Sequence, residues 1–130
     1  MGQIKESDWK LLKQIAPVAL ERFCRRTLAE IDRITSDGTR NYHQRYLVIF
    51  AVIRDRDKEI EKAFNGLRRS TALLQLSIIY SHGLLDDEEF LRFSAETRAA
   101  ISSLLRKSPR RIVKIRRFYN DPRCVILSFL

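Results

Sequence analysis

Four glycines, three prolines, two cysteines and two histidines in 130 residues leave little room for several kinds of chemistry. So few glycines supply no Gly-rich loop to cradle a phosphate, and His43 and His82 stand on different predicted helices with no HExxH pattern around them. No Cys or His pair has metal-ligand spacing, so neither metal nor nucleotide chemistry is expected and no cofactor is implied. Cys24 and Cys124 lie a hundred residues apart, and a free thiol within a helical pattern is the ordinary reading of Cys24. No stretch approaches the roughly 20 apolar residues of a membrane span. Met1 to Asp8 lacks the apolar core of a secretory signal, which leads us to expect a cytoplasmic protein.

What the chain has in excess is positive charge, and that charge is local. Of 25 Lys/Arg against 16 Asp/Glu, seven bases and one acid fall within Lys107 to Leu130, which therefore holds +6 of the formal +9. The preceding residues mix both signs, as a solvated surface does. The composition divides the chain into a helical bundle domain, 1–106, and a basic and apolar C-terminal extension, 107–130. The extension ends in Cys124-Val125-Ile126-Leu127-Ser128-Phe129-Leu130, apolar but for one serine. Ser108-Pro109 is a good helix start, and a wheel places Ile112, Ile115 and Tyr119 opposite Arg110, Lys114 and Arg117. Against a helix stand the β-branched Ile112, Val113 and Ile115, so the segment's secondary structure stays open. Arg110, Arg111, Lys114, Arg116, Arg117 and Arg123, interleaved with Phe118 and Tyr119, are the candidate anion or nucleic-acid contacts. The same residues also suit an anionic membrane surface, a partner's groove, or the covering of one end of the bundle.

Apolar spacing predicts an all-α fold, a bundle of four to six helices built on a long antiparallel helix hairpin. Ser7-Asp8 offers an N-cap to a first helix with the stripe Trp9, Leu12, Ala16, Leu20, Phe23, Thr27, Ile31 and Ile34. Pro17 within it predicts a kink or a division into two helices. Asp37-Gly38 turns the chain, and Asn41 with Gln44 fits a capping box for a second helix. Its stripe is Tyr42, Tyr46, Ile49, Ile53, Ile60, Phe64 and Leu67, and Tyr46 to Ile53 is apolar all round, which predicts cover from several sides. Asn65-Gly66 ends or interrupts that helix. A third follows over 71–81 with Gly83 as its stop. The acids Asp86-Asp87-Glu88-Glu89 open a short fourth, and Ser94 caps a fifth over 95–106. A helix-turn-helix reading of the third and fourth fails, because the recognition helix would present four acids to phosphates.

Asp57 falls between Ile53 and Ile60 on the apolar stripe, where an unpaired carboxylate is costly. It is the candidate core ion pair, with Arg22, Arg26, Arg68 or Arg69 as partner, and this reading is preferred to a general base or ligand-binding carboxylate. His43 and His82 read as solvated or helix-capping residues rather than catalytic ones.

The wording Ser7-Asp8-Trp9-Lys10, Ala19-Leu20-Glu21-Arg22-Phe23-Cys24, Arg56-Asp57-Lys58-Glu59 and Leu67-Arg68-Arg69-Ser70-Thr71-Ala72-Leu73-Leu74-Gln75-Leu76 resembles a small uncharacterised family of bacterial helical proteins. The resemblance covers about residues 7–105 and brings no activity, cofactor or site residue with it. The sequence therefore points to a non-enzymatic binding or assembly module. Apolar residues of the tail or of the first helix would meet a protein partner or a second copy as a homodimer. The alternative is a nucleic-acid-binding accessory protein that uses the basic extension.

Overall fold

The computed structural model describes residues 3–107, and these form five α-helices with no strand among them. They are α1 (Glu6–Thr35), α2 (Tyr42–Phe64), α3 (Ala72–Ser81), α4 (Asp87–Leu91) and α5 (Ala95–Lys107). The fold is an all-α bundle. Against α1, Ile34 and Ile31 meet Val48 and Val52, Glu30 meets Arg56, and Phe23 meets Phe64, so α1 and α2 run in opposite directions.

Local chemistry accounts for most helix ends. The Asn41 side chain accepts from the Gln44 backbone N–H at 2.8 Å while the Gln44 side chain accepts from the Asn41 N–H at 3.0 Å, a complete capping box. Asp86 and Glu89 repeat the device at α4. Gly66 and Gly83 take positive φ, 62° and 68°, just beyond α2 and α3, where a Cβ would be strained.

Two expectations at α1 need correction. Of the kink and the division that Pro17 predicts, the division is not found: the helix runs through Pro17 as one element, because Pro17 lies on the exposed side, where a carbonyl left without its N–H donor still meets water. Nor do Ser7 and Asp8 cap it, since α1 already begins at Glu6 after an uncapped Lys5. Asp8 is buried instead and reaches the start of α5. The Ser94 backbone N–H donates to it at 3.0 Å, the Ser94 hydroxyl at 2.6 Å and the Thr97 hydroxyl at 2.7 Å. Burial pushes the Asp8 carboxyl pKa up, but those hydrogen bonds outweigh it and hold the group below the usual carboxylate range.

The main core joins Leu12, Ile15, Ala19 and Phe23 of α1 to Ala63 of α2, Leu76 and Ile79 of α3, Leu84 and Leu85 of the following turn, Phe93, and Ile101 of α5. A second cluster is far smaller: Val48 and Val52 against Ile31 and Ile34. The far ends of α1 and α2 thus form a two-helix arm, in which each helix has the other as its only apolar support among the described residues.

Candidate interaction surface

The arm has an apolar outside. Along one side of α2, Tyr42 is 84% exposed, Tyr46 67% and Phe50 59%, with Ile53 following and exposed Leu28 of α1 sharing a groove with Ile53. Steps of four, four and three keep Tyr42, Tyr46, Phe50 and Ile53 on one helical face. Val48, Ala51 and Val52 turn the other way and are buried. Between Tyr46 and Ile53 the helix is therefore apolar on both faces but covered on one. Among the described residues the expectation of cover from several sides is not met, because α3, α4 and α5 gather around the main core and α1 is the one helix packed on this stretch. Exposed apolar residues grouped on one face mark contact surfaces, whereas singly scattered ones are ordinary.

The same outer side continues into a groove of about 250 Å³ between α1 and α2, lined by Cys24, Thr27, Leu28, Ile31, Ile53, Arg56, Asp57 and Ile60. Asp57 stands on its rim, exposed to solvent, and is not the core ion pair. The residue before it is. Arg56 is buried at the floor of the groove and its Nη2 donates to both oxygens of buried Glu30, at 3.3 and 3.2 Å. Its Nη1 lies 3.6 Å from Glu59. The sequence-based reading was displaced by one position because it followed Ile53 and Ile60, whereas Val48 and Val52 define the buried side, and Arg56 is four residues on from Val52. Arg22 and Arg26 do not reach Asp57 either. Arg22 donates to the Leu84 carbonyl at 2.8 Å and to Glu89 at 2.6 Å, and Arg26 to the carbonyls of His82 and Gly83 at 2.8 and 2.7 Å. Arg69 donates to the Ile4 carbonyl at 3.2 Å and to Glu6 at 2.6 Å.

The charge cluster below the groove shapes its neighbours' protonation. Burial pushes Glu59 up to about 7, against the pull of the Arg56 guanidinium. Burial, joined by the Arg56 and Arg26 cations, pushes His82 down to about 4. His82 is the C-cap residue of α3, as its place before Gly83 suggests, but it is not solvated: its neutral ring is buried in the core, edge-on to Phe23 at 5.7 Å. His43 is exposed at the start of α2, and no histidine lines the groove. Among the described residues no group of three His, Cys, Asp or Glu side chains is placed to hold a metal ion, and no helix is long and apolar enough to cross a membrane.

Arg110, Arg111, Lys114, Arg116, Arg117 and Arg123 lie outside the described residues. The exposed apolar face that sequence reasoning does not single out is the outer side of α2. Its signal was present in the all-round apolar run from Tyr46 to Ile53. Comparison of the chain with protein-family models, with curated proteins and with solved structures finds no match, and nothing in it bears on the resemblance drawn from the sequence.

Proposed function

We propose that this chain is a non-enzymatic helical binding or assembly module that works through protein–protein contacts, with the outer face of the arm as its contact surface. One observation carries the reading: Tyr42, Tyr46, Phe50 and Ile53 stand exposed in a row on a helix whose opposite face is already packed. Tyrosine and phenylalanine are the side chains that protein interfaces concentrate at their centres. The groove beside the row adds Leu28 and Ile31, so that the surface has both a ridge and a depression for a partner's side chains.

A photo-crosslinking residue placed at position 46 or 50 in living cells is expected to capture polypeptide, whereas the same residue at Glu88, on exposed α4, captures none. Equal capture at 50 and 88, or none at either, overturns the reading. The second reading, a nucleic-acid accessory protein, is supported by the +6 charge of Lys107 to Leu130. Its hallmark is RNA or DNA binding that weakens steeply with salt.

A further inference from the structure

We infer that the occupant of the arm's outer face is a second copy of this chain, docked with its α2 antiparallel to the first and the two-fold axis near Phe50. The inference rests on the contact-surface reading above and names its partner.

Three observations favour a second copy. The first is depth: the arm is one pair of helices whose buried apolar contacts are Val48, Val52, Ile31 and Ile34. Two such pairs laid face to face make a four-helix bundle, with Tyr46, Phe50 and Ile53 of both copies in its interior, an arrangement known to be stable by itself. The second is area. At the exposures of Tyr42, Tyr46 and Phe50, three aromatic side chains present roughly 400 Å². Leu28, Ile49, Ile53 and the polar rim bring each face toward the ~800 Å² per partner that a specific dimer buries.

The third is charge, which also sets the direction. A parallel pairing would set every residue against its own copy, placing Arg54 on Arg54 and Asp57 on Asp57, and like charges so placed repel. An antiparallel pairing about Phe50 sets residue 50+n against residue 50−n. Arg54 then meets the Tyr46 ring and Asp57 the imidazole of His43. Arg45 does not interfere, since it is held at home by the Arg40 and Thr35 carbonyls, at 2.9 and 3.0 Å, and lies over its own Tyr42 ring. Asp57, misplaced as a core residue by its spacing, finds its role on this rim.

The full chain is tested by sedimentation velocity over a range of concentrations. Expected is a species of twice the 15.3 kDa chain mass. In Tyr46→Glu/Phe50→Glu the dimer dissociation constant rises roughly 30-fold or more, as for a central hot spot. Both positions are exposed in the single chain, so helical content should not change. Direction is read by disulfide capture in a chain with Cys24 and Cys124 replaced by serine. Phe50→Cys is expected to link to its own copy, whereas Tyr42→Cys is not, because position 42 lies opposite 58 and far outside the ~7 Å that a disulfide spans. Self-linking at both positions overturns the antiparallel arrangement. A monomer at every concentration overturns the second copy. If the crosslinker at position 50 then captures another protein, the contact-surface reading survives, and if it captures residues 108–130 of its own chain, that segment is the occupant instead. No capture of any kind removes both proposals together.

Discussion

The two ends of α2 meet opposite fates, and not the ones their composition suggests: nine of the twelve residues from Tyr42 to Ile53 are apolar against three of the eleven from Arg54 to Phe64, yet the poorer end is the one packed on the main core. At the C-terminal end, Ile60 and Phe64 pack against the main core with Ala63 fully buried between them, and α1, α3 and α5 all contribute side chains to that cluster. At the N-terminal end, Val48 and Val52 find only Ile31 and Ile34 among the described residues, and Tyr42, Tyr46 and Phe50 face outward. The difference lies less in the helix than in what the rest of the chain brings to it. A helix can bury a stripe against one neighbour, and a second stripe needs a second neighbour. The core end has internal neighbours, and the arm is where an external one would complete the packing.

The largest expected contrast is therefore between deletions at the two ends. Phe23 is fully buried, with Phe64 at 6.4 Å and His82 at 5.7 Å edge-on to it. Phe23→Ala is expected to cost about 3–5 kcal/mol in denaturant unfolding followed by circular dichroism. Val52→Ala removes two carbons from a cluster of four residues and is expected to cost about 1–2 kcal/mol. Equal costs would break the comparison, for they would mean that the arm is as deeply packed as the core.

Protonation supplies the next contrast, at the junction of the two ends where Arg56, Glu59 and His82 lie. His82 is lowered from 6.5 to about 4, so the folded chain binds fewer protons than the unfolded one between those values, and stability rises with pH across that window. Glu59 is raised from 4.5 to about 7, so the folded chain keeps a proton that the unfolded one loses, and stability falls as pH rises from 4.5 to 7. From pH 4.5 to 6.5 the two slopes oppose each other. Glu59→Gln removes one of them, and that variant is expected to gain about 3 kcal/mol between pH 4 and 6.5 and then level off, while the unaltered chain changes far less from 4.5 to 6.5. Asp8 and Glu89, both held low by hydrogen bonds, keep their stabilising contribution above the usual carboxylate range and lose it at lower pH in both proteins alike. Superimposable unfolding profiles over the opposed window would sink this account of the junction.

Legibility in the sequence follows the same division. Short-range chemistry was readable: the Asn41/Gln44 box, the Gly83 stop and the acids that open α4 act within a turn or two, so spacing alone locates them. The number and order of helices followed from these signals and from period. What was not readable depends on which face of a helix meets which neighbour. Tyr46 to Ile53 is apolar at every angle, so period could not tell the Val48–Val52 side from the Tyr46–Phe50 side, and that uncertainty misplaced the buried ion pair from Arg56 to Asp57. Asp8 was misread for a related reason. An acid near a helix start looks like a cap, and only the long-range return of Ser94 and Thr97 gives it another task. The sequence draws attention to the tail and to α1 rather than to the proposed contact face, because strong charge and a bare apolar terminus stand out, whereas a helix with one stripe too many looks like a core.

The smallest expected effect sharpens the comparison most finely, because it asks whether the two ends unfold together. Asn41 closes the start of α2 at the tip of the arm through the reciprocal bonds with Gln44. Asn41→Ala removes an N-cap and is expected to cost about 1 kcal/mol. Amide hydrogen exchange, measured where the chain is monomeric, reports where that cost falls. With a small apolar cluster among the described residues, Val48 and Val52 against Ile31 and Ile34, the arm is expected to open below the global unfolding free energy. Amides of residues 45–52 should then exchange about fivefold faster in the variant, while those around Leu76 and Ile79 keep their rates. If instead both sets accelerate equally, the arm and the core are one cooperative unit. The thinness of the second cluster would then describe its packing but not its stability.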